Sequence, residues 1–185
     1  MLLEFDADQR LWQDTVRDAV AKQCPASLIR GIAEDGVDPT PPLWESYVDA
    51  GWTELAEPEN AVELAIVLEE FGRATDPTPF LATLTQFAPL AGDRYDPPGR
   101  RGTAVFEGIT AHRDDGGWVL SGTSRYVLDA DRAQKLAVVT DAGVFSSSTP
   151  PLPPSPGSRC SIRSCTSRMS PSPRSRGVRR RSGAR

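Results

Sequence analysis

The chain has 185 residues, with 21 basic against 25 acidic side chains and a formal net charge of −4. All 25 acids fall in residues 1–145 beside 12 basic residues, a balance of −13, whereas residues 146–185 hold nine arginines and no acid. At the first segment's acid frequency, a 40-residue stretch without one has a chance of about 0.0005, which excludes one kind of polypeptide throughout.

The first half reads as helices. Asp6-Ala7-Asp8-Gln9 has the form of a capping box, and behind it Leu11, Trp12, Val16, Ala19 and Val20 recur at helical spacing. Pro25 ends that helix. A short helical piece, 26–33, and a loop, 35–41, lead to a helix with Pro42 in its first turn and Gly51 as its stop. A third strong helix is expected over 60–73, with Val62, Ala65, Ile66 and Phe71 as its buried stripe and Leu64, Val67 and Leu68 widening it. Glu69 and Glu70 read as its solvated side. Asp76-Pro77-Thr78-Pro79 breaks the chain, and 80–90 is a fourth helix.

Then the period changes. A Pro/Gly/Arg linker, 91–102, precedes strand-like runs at 103–106, 109–112, 118–121, 125–128 and 136–140. Asp115-Gly116 suits a hairpin turn, and Asp141-Ala142-Gly143 can open another into Val144-Phe145. The expected fold is α+β: a helical bundle (1–90), a partial antiparallel β-domain (91–145) and a disordered basic tail (146–185). The tail holds 12 Ser, 7 Pro and 9 Arg among its 40 residues, too few apolar groups to offset the entropy of ordering. Two readings of it stand. Arg174, Arg176, Arg179, Arg180, Arg181 and Arg185 make a sequence-blind clamp for nucleic acid, driven by counterion release. Alternatively the segment is a GC-rich gene read in a shifted frame, and this reading is preferred because the switch falls in mid-domain.

No run is long and apolar enough for a membrane span, and the first residues lack a secretory pattern. Three cysteines, Cys24, Cys160 and Cys165, form no disulfide framework and no zinc spacing, so a reducing cytoplasm is expected. His112, the single histidine, reads as solvated. Trp12, Trp44, Trp52 and Trp118 read as packing anchors.

Several runs together resemble a known family. Leu3-Glu4-Phe5-Asp6-Ala7-Asp8-Gln9-Arg10 with Asp14-Thr15-Val16-Arg17-Asp18 is similar to the opening helix of acyl-CoA dehydrogenases. Gly51-Trp52-Thr53-Glu54-Leu55-Ala56-Glu57-Pro58-Glu59 resembles the family's turn after its third helix. Val67-Leu68-Glu69-Glu70-Phe71-Gly72-Arg73 followed by Pro77-Thr78-Pro79-Phe80-Leu81-Ala82-Thr83 is the most telling match, and Trp118 to Thr123 with Tyr126-Val127-Leu128 resembles the strands that open the middle β-domain.

The resemblance implies FAD-dependent α,β-desaturation of an acyl-CoA thioester, with a fatty or steroid side chain as the acyl group and lipid β-oxidation as its setting. A glutamate takes the α-proton and the flavin takes the hydride. By resemblance that glutamate lies in a C-terminal helical domain with no counterpart in this chain, so no catalytic residue is assigned and the chain alone is expected to be inactive. The family's flavin-contacting strand reads aromatic, aliphatic, then Thr or Ser. Here those positions are Tyr126, Val127 and Leu128, so Tyr126 offers a ring and Leu128 only its backbone. The competing reading of Tyr126 is an ordinary core tyrosine. The alternative role for the chain is that of a non-catalytic partner in a homo- or hetero-oligomer with another acyl-CoA dehydrogenase subunit.

Overall fold

The computed structural model of the protein describes residues 4–35, 38–97, 100–114, 117–148 and 159–162. Helix α1 (Ala7–Gln23) starts at the expected capping box. The Asp6 carboxylate accepts the Gln9 N–H at 2.8 Å and the Gln9 side-chain oxygen accepts the Asp6 N–H at 3.1 Å, pairing two donors that a first turn leaves open. After Pro25 comes α2 (Ala26–Asp35). Helix α3 (Thr40–Asp49) carries Pro41 and Pro42 in its first turn, where a missing N–H costs nothing, and Gly51 reverses the chain behind it at φ 73°. Helix α4 (Ala61–Ala74) follows two 3-10 turns. Then α5 (Phe80–Ala82), a π-helical turn (Thr83–Phe87) and α6 (Ala88–Ala91) run on as one rod.

Helices α1 and α4 run parallel. Trp12 Nε1 donates to the Glu63 carbonyl at 3.3 Å, Arg17 meets Glu70, and the Cys24 thiol meets the Ala74 carbonyl at 3.9 Å, so contacts keep an almost constant sequence offset. Tyr47 of α3 is the hub of the helical core. Its ring lies 4.6 Å from that of Phe71, 5.4 Å from Trp52 and 5.8 Å from Phe80, with Val16, Val20 and Val67 closing around them. Of the four tryptophans read as anchors, Trp44 and Trp52 are buried and Trp12 and Trp118 half-buried.

On α4 the expected face is partly wrong. Ile66, Val67 and Phe71 are buried, but Val62 and Ala65 face outward and Glu70 faces in. A helix that is apolar nearly all round gives no phase of its own, so the neighbour sets it, and α1 presents Arg17 where Glu70 lies.

The sheets form two layers against the helical rod. Sheet one orders β1 (Gly102–Val105), β4 (Lys135–Thr140) and β5 (Gly143–Ser148), with β1 and β4 parallel and β4 and β5 antiparallel. Sheet two orders β2 (Ile109–Asp114), β3 (Gly117–Arg125) and β6 (Arg159–Ile162), all antiparallel. Side chains of sheet one alternate as strand geometry requires. Ala104, Ala137 and Val144 face Phe87, Leu90 and Ala91 of the rod, while Val105, Leu136, Val138 and Phe145 face Ile109 and Leu120 of sheet two. The fold is α+β as expected, with one parallel ladder added to the antiparallel ones.

Two strand expectations are corrected. The run 125–128 is no strand: β3 ends at Arg125, and Tyr126 turns left-handed at φ 59°. The basic segment is not wholly without structure, since β5 continues to Ser148 and Arg159–Ile162 pair with Gly122–Arg125. Strand pairing uses backbone groups and is nearly indifferent to composition, which is how an open edge recruits such a segment. Asp115-Gly116, Cys165 and the arginines from Arg174 onward lie outside the described residues.

Candidate functional site

Tyr126 and Leu128 sit where β3 gives way to the turn toward β4. Residues 123–128 run antiparallel to 103–108 and are pinned at both ends. The Thr123 N–H donates to the Gly108 carbonyl at 3.0 Å, and the Thr103 hydroxyl donates to the Leu128 carbonyl at 2.6 Å. Val127 packs into the core between the sheets, which turns its neighbours outward. Tyr126 is 94% exposed, Phe106 57% and Leu128 39%. A fully exposed aromatic ring held at positive φ is strained and unpaid for by packing, which overturns the reading of Tyr126 as a core tyrosine.

Among the described residues neither the Tyr126 hydroxyl nor the Leu128 N–H has a hydrogen-bond partner. The segment thus offers one flat, exposed ring and, among the described residues, one backbone donor without a partner. A planar heteroaromatic ligand fits that set; a metal ion does not. Among the described residues no group of His, Cys, Asp or Glu can hold a metal. His112 is exposed on β2, as expected, and Cys24 is a buried free thiol that burial pushes above its usual pKa.

The helices and layered sheets build part of the acyl-CoA dehydrogenase fold. The Tcur3481-Tcur3483 steroid acyl-CoA dehydrogenase superposes with a TM-score of 0.60 at 26% identity, over 76% of this chain and 48% of its own. The ChsE4-ChsE5 complex from Mycobacterium tuberculosis gives 0.66 at 20% identity, over 80% and 49%. A glutaryl-CoA dehydrogenase from Mycobacterium smegmatis in complex with FADH2 gives 0.58 at 18% identity, over 79% and 46%. The chain spans about half the length of these solved structures. No family model and no curated protein matches it. Among the described residues no helix is long and apolar enough to cross a membrane.

Proposed function

We propose that residues 1–90 and 91–145 are the helical and opening β parts of an acyl-CoA dehydrogenase-like flavoprotein, cytoplasmic in location, and that Tyr126 and Leu128 face its FAD. The reaction that goes with this reading is α,β-desaturation of an acyl-CoA thioester carrying a fatty or steroid side chain. The single observation that carries it is Tyr126, exposed and held at φ 59° just past the end of β3. When bound, FAD supplies the hydride acceptor. Tyr126 offers the ring against which the flavin stacks, and the Leu128 N–H offers a hydrogen bond to its rim. No described side chain is assigned the proton-abstracting role, so turnover by this chain alone is not expected.

The test is a titration of FAD into the purified full chain, followed by flavin fluorescence, with Tyr126→Gly as the variant. The expected result is affinity weakened tenfold or more together with stability raised by about 1 kcal/mol, because glycine accepts φ 59° without strain. Unchanged affinity, or a loss of stability as for a packed tyrosine, would refute the reading.

A second reading is favoured by the neighbours named as pairs, ChsE4-ChsE5 and Tcur3481-Tcur3483. In it the chain is a non-catalytic partner of another acyl-CoA dehydrogenase subunit. Co-expression with such a subunit then yields a complex of fixed stoichiometry, and a chain that purifies alone counts against it.

A further inference from the structure

The helical lobe carries a groove that the flavin reading leaves unused. It opens between the second half of α1, the start of α2 and the end of α4, and it shares no lining residue with the segment 126–128. Its volume is about 790 Å³, inside the range of about 300–1,000 Å³ common for small-ligand sites. The floor is apolar, with Val20 and Ile29 beside the Cys24 thiol. Burial pushes that thiol above its usual pKa, so Cys24 lines the groove as a small hydrophobe and not as a nucleophile. Helix α2 leaves the floor open. It carries Leu28, Ile29 and Ile32 along one side and yet buries none of its residues, although Leu28 and Ile29 touch the margin of the helical core.

The rim is cationic. Arg17, Arg30 and Arg73 line the groove, and Glu70 is the one carboxylate that lines it among the described residues. Glu70 is already answered, since Arg17 holds it with two hydrogen bonds and Arg73 Nε stands at 3.5 Å. Two outer acids, Asp14 on Arg17 and Glu69 on Arg73, form exposed pairs that contribute little and do not line the groove. Arg30 is exposed and pairs with no carboxylate among the described residues. The groove therefore has a surplus of positive charge above an apolar floor.

We propose that this groove binds a small monoanionic amphiphile, an aliphatic carboxylate whose chain lies on Val20 and Ile29 and whose head group meets Arg30. Covering the floor supplies the affinity, and the unpaired guanidinium selects an anionic head over a neutral one. The volume matches one small molecule, which favours a free amphiphile over a protein partner. Its chain would also complete the burial that α2 lacks. The site lies wholly in the helical lobe and is independent of the flavin reading.

Titration of sodium decanoate, kept below its micelle concentration, into the isotope-labelled full chain tests the site by amide shifts. Saturable one-to-one binding is expected, with shifts at residues 20–24, 26–31 and 74–75 and none at Tyr126. Decanol should bind about fivefold more weakly, and so should decanoate to Arg30→Gln, the loss expected for one partly exposed ion pair. Ala21→Trp, which fills the groove from an exposed position on α1, should abolish the shifts. Absence of saturation, shifts centred on Tyr126, equal affinity for decanol, or unchanged binding to Ala21→Trp overturns the site. A response to anionic phospholipid vesicles alone overturns it too. Should Ala21→Trp fail to accumulate, Arg30→Gln decides: weakened binding supports the site and unchanged affinity overturns it.

Discussion

Glu70 shows how a single charge can be read wrongly from its neighbours. Beside Glu69 on a helix it has the look of a wet surface, yet its side chain is 1% exposed and Arg17 grips it with Nε at 3.1 Å and Nη2 at 3.0 Å. Arg73 Nε adds a contact at 3.5 Å while its Nη2 pairs with Glu69. The pair is lopsided, because the Arg17 side chain is 47% exposed. Removing the carboxylate therefore frees a guanidinium that can turn to water, whereas removing the Arg17 guanidinium leaves a buried negative charge with only the longer Arg73 contact. Arg17→Met should cost more stability than Glu70→Gln, measured by urea denaturation. The reverse order would mean that Glu70 is hydrated in solution. The sequence alone held no signal for this, since the pairing appears only once α1 and α4 are laid parallel.

At the scale of elements, what was legible followed local chemistry. The capping box at Asp6, the prolines opening α3 and Gly51 closing it are contacts within a few residues, so they can be read off directly. Tyr126 is the opposite case. Its sequence, Arg125-Tyr126-Val127-Leu128, has strand propensity, and the chain still leaves β3 there. What stops the strand lies at a distance: Thr103 captures the Leu128 carbonyl, and Val127 is drawn into the core between the sheets. A close backbone approach nearby explains two glycines. Gly108 at φ 80° and Gly122 at φ 147° press their backbones together, and a Cβ on Gly122 would stand 2.0 Å from the Gly108 oxygen. Neither partner can yield, because both contacts are to backbone. Gly122→Ala is thus expected to lose about 3 kcal/mol or more and to accumulate mainly as insoluble protein. A soluble variant with an unchanged melting temperature would show that Gly108 and Gly122 do not approach as closely as described.

The whole molecule depends on one seam. Sheet one is sandwiched between the helical rod and sheet two, so its alternation serves two cores at once, small alanines toward the rod and larger residues toward the other sheet. The small residues are what bring the rod close, and the tightest point is Gly102. Its N–H and carbonyl both bond the Thr83 hydroxyl, at 3.1 and 3.0 Å, and the Phe87 ring covers its α-carbon. A methyl group there would meet Phe87 Cγ at 2.2 Å, and Phe87 is walled in by Ala91, Ala104 and Ala137. Gly102→Ala should therefore cost about 2–3 kcal/mol by forcing the rod off the sheet. Phe87→Leu alone should cost about 1 kcal/mol and, combined with Gly102→Ala, give back part of the loss, because the smaller side chain leaves room for the methyl. The coupling separates steric contact from a simple change in backbone entropy, which would add independently of residue 87. If the two losses sum within error in urea titrations, the seam is not set by this contact and the rod must be held to the sheet chiefly by the Thr83 bonds.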